Sequence, residues 1–195
     1  MPDQPTVLTS YASGRWSVDL LDSVTIWQAA RATSAATSFF APIQIGRFHE
    51  TFLDGATGAN NPINVVWNEA QEIWKPTNNL DKHIQCLISI GTGEPNVADF
   101  GGSLKSIIGT LKSMATETER TAEEFIRRNT TLHSNRRYFR FNVRRGLEGI
   151  GLEEAAKLAD IATATRRYLA MEDEKKRMEE CAETLREREC TTDFT

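Results

Sequence analysis

The spacing of apolar residues along the chain predicts alternating helices and strands. Steps of three and four residues, as on one face of a helix, separate Ile63, Val66, Trp67, Ala70, Ile73 and Trp74. Asn61 can cap this helix, and Pro62 suits its first position because the N–H that proline lacks is unpaired there. We predict an amphipathic helix whose apolar stripe packs into a core.

Four other stretches also have helical spacing. One helix is expected from Ser23, which can serve as its N-cap, to the small residues at 33–36. A long helix is predicted at 104–126, and another at 152–169. Residues 171–190 predict a charged helix with a thin apolar stripe, which we expect to dock on the surface.

Strand-like segments lie between these helices. Alternating or continuous apolar runs predict strands at 7–11, 43–48, 51–54, 84–90 and 138–143. The second and third of them are close enough in sequence to form a hairpin, and the fourth predicts a buried parallel strand. Strands that alternate with helices favour an α/β layered fold.

The predicted hairpin ends in the sequence Phe52-Leu53-Asp54-Gly55-Ala56, followed by Asn60-Asn61-Pro62. An apolar pair that runs into Asp-Gly predicts a strand end, where a tight turn holds the carboxylate at the rim of the sheet. Gly55 can take the positive φ that a sharp exit needs. This position suits a general base, although Asp-Gly is also a common dipeptide of plain turns.

Length and composition indicate one soluble globular domain, with 195 residues of which 39% are hydrophobic. No run approaches the roughly 20 apolar residues of a transmembrane helix, and the first residues do not resemble a signal peptide. We therefore expect a cytoplasmic protein, at most peripheral at membranes. Three cysteines without a C-x-x-C spacing favour a reducing compartment. The three histidines lie far apart, and no carboxylate cluster has calcium-loop spacing, so no metal site is expected.

Charge is distributed unevenly between two parts of the chain. Residues 171–195 carry nine acidic and five basic side chains, which accounts for the whole net charge of −4. Residues 1–170 balance at eighteen each, and we separate the chain into these two parts. A basic stretch comprises Arg120, Arg127, Arg128, Arg136, Arg137, Arg140, Arg144 and Arg145. It could meet phosphate groups, but the interleaved glutamates favour a solvated face, and we expect no nucleic-acid partner.

The glycine-rich turn Gly91-Thr92-Gly93 follows the predicted parallel strand, where α/β sheets often bind ligands. A nucleotide-binding protein is therefore one alternative. The turn lacks both the Lys-Ser/Thr of a P-loop and the third glycine of a dinucleotide fingerprint, so it is weak support for nucleotide binding.

Several segments together resemble the patatin-like phospholipases and acyl hydrolases, with fungal-type members looking most similar. Residues 27–36 followed by Phe39-Phe40-Ala41-Pro42 resemble the family's helix before the catalytic hairpin. Asp54-Gly55-Ala56 resembles its Asp-Gly-Gly/Ala motif, and Asn60-Asn61-Pro62 the turn beyond it. Ser89-Ile90-Gly91-Thr92-Gly93 and the helix at 151–169 complete the resemblance, which keeps the family's order over about residues 7–169.

The resemblance implies a three-layer α/β fold with a mainly parallel central sheet, and residues 1–170 would be the carboxyl-terminal part of the catalytic domain. It also implies a Ser-Asp dyad without cofactor or metal, in which Asp54 takes the proton of a serine that attacks an ester. Gly55 and Ala56 are the supporting motif positions. The implied substrates are lipid or lysophospholipid esters at a membrane surface.

The chain lacks the other parts of that machinery. None of its eleven serines lies in a Gly-x-Ser-x-Gly elbow, and a glycine-rich oxyanion loop is also missing. The sequence most similar to the elbow is Gly101-Gly102-Ser103, but it has Lys105 at the second position after the serine, where the motif has glycine. We expect both parts upstream of Val7, a fold incomplete at its N-terminal side, no hydrolysis by this chain alone, and association through uncovered apolar faces. The alternative is a non-catalytic patatin-like module that binds lipid or a partner chain.

Overall fold

A computed structural model gives the architecture of residues 5–16, 18–36, 39–74, 80–94, 105–147, 150–151 and 154–186. The chain divides into two compact units, Met1–Pro76 and Thr77–Thr195. The division that the sequence suggested after residue 170 stays a prediction. Among the described helices, none combines the length and the apolar character needed to cross a membrane.

The first unit contains an antiparallel hairpin and four described helices. Its elements are α1 (Val18–Ser23), α2 (Ile26–Thr33), β1 (Ile43–Ile45), β2 (Glu50–Phe52), α3 (Ala56–Ala59) and α4 (Ile63–Ile73). Strands β1 and β2 pair with Ile43 opposite Phe52 and Ile45 opposite Glu50. The predicted hairpin is therefore confirmed, with strands shorter than expected.

Two predictions about the start of this unit are wrong. Residues 7–11 form no strand, because side chains rather than backbone pairing hold this segment. The Tyr11 hydroxyl donates to Glu69 Oε2 at 2.9 Å, and Trp16 Nε1 donates to Glu69 Oε1 at 2.7 Å. Ser23 ends helix α1 instead of capping α2, whose N-cap is Thr25 in an extended conformation.

Helix α4 has the predicted position but not the predicted burial. Ile63 is buried, whereas Val66, Ile73 and Trp74 are 44–50% exposed. The helix instead turns Glu69 inward, where the carboxylate accepts the two hydrogen bonds from the N-terminal segment. Helical spacing located this helix correctly, but a polar residue occupies its buried face.

The second unit is built around a parallel pair of strands. Its described elements are α5 (Leu80–His83), β3 (Leu87–Ile90), α6 (Lys105–Arg128), α7 (Thr130–Ser134), β4 (Tyr138–Phe141), a 3-10 turn (Ala155–Lys157), α8 (Leu158–Leu169) and α9 (Glu172–Arg186). Strands β3 and β4 pair in parallel over their full lengths, from Leu87 opposite Tyr138 to Ile90 opposite Phe141. The sequence predicted this parallel strand, the long helix α6 and the charged helix α9.

Helices lie against both faces of this pair, so the second unit has three layers. On one face, the rings of Tyr138 and Phe125 of α6 are 5.0 Å apart. On the other face, the guanidinium of Arg177 in α9 lies 5.4 Å from the centre of the Phe141 ring. The predicted α/β class is confirmed, with only two strands in each described sheet.

Strand β3 is less buried than the sequence predicts. Ser89 is buried, but Ile88 is 40% exposed and Ile90 is 79% exposed. These two isoleucines border a cavity of about 570 Å³ whose other walls come from β4, α8 and α9. Successive strand residues point to opposite faces, so one face of β3 packs and the other lines this opening.

Candidate functional site

Asp54 lies between the end of strand β2 and the start of helix α3, in the turn that the sequence predicts. Its Oδ1 accepts a hydrogen bond from the Ala56 N–H at 2.8 Å. Its own N–H donates to the carbonyl of Ala35 at 3.1 Å. The residue is half-buried, and both its backbone and its carboxylate are held in place.

The two oxygens of the Asp54 carboxylate have different roles. Within the part of the chain that the structure describes, the bond to Ala56 is the one hydrogen bond of this side chain. Oδ2 is left to accept a proton from another group. The bond from an aspartate oxygen to the N–H two residues further on is that of an Asx turn, and it fixes one oxygen of the carboxylate.

Small residues at the end of α2 bring the hairpin close to that helix. Ala32 is 3% exposed and Ala35 is fully buried. Because neither has a bulky side chain, the helix end approaches the hairpin closely enough for the Ala35 carbonyl to reach Asp54. The small residues at 33–36 are visible in the sequence, but the hydrogen bond between the Ala35 carbonyl and Asp54 was not predicted.

The segment after α2 is fastened by an arginine. Arg31 Nη2 donates to the Ala41 carbonyl at 2.6 Å, and its guanidinium lies 5.4 Å from the centre of the Phe40 ring. These contacts hold the Phe-Phe-Ala-Pro segment beside the helix that precedes the hairpin. This is one of the segments on which the family resemblance depends.

Gly55 does not have the conformation that the sequence predicts. Its φ is −60° and its ψ is −18°, in the right-handed helical region, because it opens helix α3. A Cβ placed on Gly55 meets no atom within 4 Å. Positive φ is therefore not the reason for glycine here, and the importance of Gly55 stays a prediction from the resemblance.

The Asn-Asn-Pro turn leads directly into helix α4. Asn61 is buried, and its Oδ1 accepts a hydrogen bond from the N–H of Ile63 at 3.3 Å. Ile63 is the first residue of α4 and Pro62 is its N-cap, so the predicted cap at Asn61 and the predicted place of Pro62 inside the helix are each off by one position. The turn thus fixes the connection between the Asp54 turn and α4.

Packing explains both glycines of Gly91-Thr92-Gly93. A Cβ on Gly91 would lie 2.2 Å from Oδ1 of Asn142. Gly93 has a φ of +107°, and its Cβ would lie 2.6 Å from Leu147 Cδ1. Asn142 Oδ1 also accepts a hydrogen bond from the Gly93 N–H at 2.8 Å. The nucleotide-binding alternative gains nothing from these contacts.

Replacing Gly91 with alanine is expected to lower the free energy of unfolding by about 2 kcal/mol, because Asn142 must move away from its partners. Urea unfolding followed by far-UV circular dichroism measures this loss. Gly58→Ala is the matched control, since a Cβ at Gly58 meets no atom within 4 Å. Equal unfolding free energies for the two variants would contradict the packing explanation.

In the part of the chain that the structure describes, five of the eight arginines of the basic stretch pair with acidic residues. Among the described residues, Arg120 and Arg128 lie within 4.0 Å of Glu124, Arg140 is 2.6 Å from Glu119, and Arg136 and Arg144 pair with acids of α9. Pairs with an exposed arginine, such as those of Arg120 and Arg128 with Glu124, contribute between zero and about 1 kcal/mol each, whereas the side chain of Arg140 is only 10% exposed. The solvated face favoured by the sequence is consistent with these ion pairs.

The structure brings no further catalytic group to Asp54 in the described residues. Gly101, Gly102 and Ser103, the nearest imitation of a nucleophile turn, lie outside those residues. Ser89 is buried and its hydroxyl accepts a hydrogen bond from Arg140 Nη1 at 3.0 Å. Within the described part, no three His, Cys, Asp or Glu side chains are grouped closely enough to hold a metal ion.

The chain is similar over most of its length to mammalian phospholipases. It is 35% identical over 173 residues to the calcium-independent phospholipase A2-gamma of Rattus norvegicus. This match covers 86% of this chain and 20% of the relative. The protein of the same name from Mus musculus is 33% identical over 172 residues. That of Homo sapiens is 30% identical over 173 residues, and both matches cover 85% of this chain and 20% of the relative.

These similarities identify the class of protein. The chain belongs to the patatin-like phospholipase family, a family of lipid acyl hydrolases. It spans about a fifth of the length of the curated relatives that it matches. No family model matches the chain, and no solved structure does.

Proposed function

We propose that this chain provides the general base of a lipid acyl hydrolase that uses a Ser-Asp dyad. The observation that carries the proposal is the Asp54 carboxylate, with Oδ1 fixed by Ala56 and the backbone fixed by Ala35. The family membership of the chain and the Asp-Gly-Ala sequence at this turn support the same assignment.

The proposed chemistry follows from this geometry. A serine hydroxyl donates to Oδ2 of Asp54, which takes the proton as the serine oxygen attacks the ester carbonyl. Collapse of the tetrahedral intermediate releases the alcohol, which takes that proton, and leaves an acyl-serine. Asp54 then removes a proton from water, which attacks the acyl group. Collapse of this second intermediate releases the fatty acid, and the departing serine oxygen takes the proton back from Asp54.

The nucleophile of this dyad belongs to a segment outside the 195 residues. None of the eleven serines lies in a Gly-x-Ser-x-Gly turn. A base without a nucleophile or oxyanion donors has no proton to accept from a reacting group. We therefore expect this chain alone to hydrolyse esters at the uncatalysed rate.

Transplantation into a relative tests the proposal. The matched segment of the rat phospholipase is replaced by this chain, and hydrolysis of a radiolabelled phospholipid is compared for the chimera, the rat protein and this chain alone. The folded chimera is expected to hydrolyse the lipid, and this chain alone is not. A folded but inactive chimera, or steady turnover by this chain that survives Asp54→Asn, would contradict the proposal.

A non-catalytic module is the second candidate, and the exposed apolar side chains of the first unit favour it. Ile26 is 91% exposed, Phe48 73% and Trp27 64%, and tryptophan and phenylalanine suit the interface of a bilayer. Binding of this chain to phosphatidylcholine vesicles, together with an inactive folded chimera, would support this candidate over the hydrolase.

Both candidates share the same proposed partners. These are lipid or lysophospholipid esters at a membrane surface, reached from the cytoplasm by a peripheral protein without a nucleic-acid partner. Association through exposed apolar residues such as Ile26 and Trp27 is also proposed. Sedimentation with and without vesicles separates binding to lipid from association between chains.

A further inference from the structure

Two free cysteines of the second unit face each other. Cys86 immediately precedes strand β3, and Cys181 lies in helix α9. Their Sγ atoms are 4.0 Å apart, although 95 positions separate them in sequence. Cys181 is buried and Cys86 is half-buried. The fold therefore brings together two thiols, one of them half-buried, whose spacing in sequence does not predict a pair.

Polar contacts on both sides of the thiols fix this arrangement. Gln85 Nε2 donates to the carbonyl of Thr184 at 2.7 Å. Arg136 Nη1 donates to Glu180 Oε1, also at 2.7 Å. These bonds hold α9 against the residues that lead into β3 and β4. An S–S bond is about 2 Å long, so the two sulfur atoms need to approach by about 2 Å.

We propose that Cys86 and Cys181 form an oxidative modification site, at which a small-molecule disulfide such as oxidised glutathione converts the two thiols into an intramolecular disulfide. The thiolate of Cys86 attacks one sulfur of the oxidant, and one glutathione thiolate leaves. Cys181 then attacks Sγ of Cys86, and the second glutathione leaves. The two cysteine protons end on the two glutathione thiols, so two protein thiols are oxidised and one disulfide is reduced.

The surroundings of the thiols set the order and speed of these steps. Cys86 reacts first because it is the more exposed of the pair. Burial, with a smaller contribution from Cys181, raises the pKa of Cys86 to about 12. Little thiolate is present near neutral pH, so the first step is slow compared with that of a surface cysteine.

The disulfide would affect the cavity beside β3. Cys181 lines this cavity together with Met178 and Leu185 of the same helix. A covalent bond from Cys181 to the start of β3 ties this wall to the sheet. It also restricts the unfolded chain across the long loop between the two residues, which stabilises the folded unit.

Mass mapping tests the site directly. The full chain is incubated with oxidised glutathione, alkylated and digested with trypsin, which places Cys86 in peptide 83–105, Cys181 in 178–186 and Cys190 in 189–195. The expected product links the first two peptides, with the loss of two hydrogen atoms. Cys190→Ser is the matched control and retains this link.

Stability provides the second measurement. Oxidised wild-type chain is expected to unfold at a higher urea concentration than reduced chain, and the difference disappears on reduction and in Cys86→Ser. A link that involves Cys190, glutathione adducts without an internal disulfide, or the same mixture of links in denaturant would overturn the proposal. The wild-type and Cys190→Ser digests decide it even where Cys86→Ser does not fold.

Discussion

Asp54→Asn in the active chimera is expected to lower kcat by about 10³-fold and to leave KM unchanged. Asparagine has nearly the same shape, and its Oδ1 can still accept the hydrogen bond from Ala56. The amide cannot take a proton from the serine, however, so only the chemical step is lost. Steady-state hydrolysis of a phospholipid by the chimera and its variant measures both constants.

Asp22→Asn is the matched control for this substitution. Asp22 lies in the same unit, near the end of helix α1, and is exposed. It is expected to leave kcat and the thermal midpoint unchanged. An Asp54→Asn chimera that keeps more than about a tenth of its activity would show that another group is the base. A large fall in its thermal midpoint would instead assign Asp54 a structural role.

Glu174→Ala is expected to lower the free energy of unfolding of the second unit by about 3 kcal/mol. Glu174 is only 3% exposed at the start of α9. Its Oε2 accepts hydrogen bonds from the Tyr168 hydroxyl at 2.7 Å and from Arg177 Nη1 at 2.9 Å. Truncation leaves the buried Tyr168 hydroxyl without this acceptor and opens a gap between α8 and α9.

Urea unfolding measured by far-UV circular dichroism tests this loss. All four tryptophans precede residue 77, so their fluorescence reports on the first unit and provides a separate reading. Glu179→Ala, an exposed change in the same helix, is expected to stay within about 0.5 kcal/mol of wild type. If both variants lose equal stability, the Glu174 contacts contribute nothing measurable.

The Glu174 network also has a spectroscopic consequence. Burial, with a smaller contribution from the hydrogen bond to Glu174, raises the pKa of Tyr168 above its ordinary value. In Glu174→Gln the negative charge beside the hydroxyl is gone, so the pKa of Tyr168 should fall toward the ordinary value. Absorbance at 295 nm, the tyrosinate band, follows this titration.

Local patterns predicted the elements better than they predicted burial. The hairpin, helix α4, the parallel strand β3 and the long helix α6 each depend on spacing that is visible within a short window. Burial depends on what packs from elsewhere. Glu69 and Glu174 are charged residues in helices, yet both are buried. A tyrosine hydroxyl 58 positions away donates to the carboxylate of Glu69, and one six positions away donates to that of Glu174.

The candidate site was only partly predictable for a related reason. The dipeptide after β2 located Asp54 because a strand that ends in Asp-Gly is a local pattern. The bond from its N–H to Ala35 joins residues nineteen positions apart, and nothing in either side chain indicates it. The positive φ expected at Gly55 was wrong because helix α3 begins immediately, at Ala56.

The hydrogen bond from the Asp54 N–H to the Ala35 carbonyl positions the backbone of Asp54 and leaves its side chain uninvolved. The peptide carbonyl at 35 sets where the acid stands, while its carboxylate determines what it can do. A bulkier residue at 35, which has no free space around it, would push the helix end away and carry the acid out of alignment. In the active chimera, we expect such a substitution to lower hydrolysis through a residue that lies outside the proposed dyad.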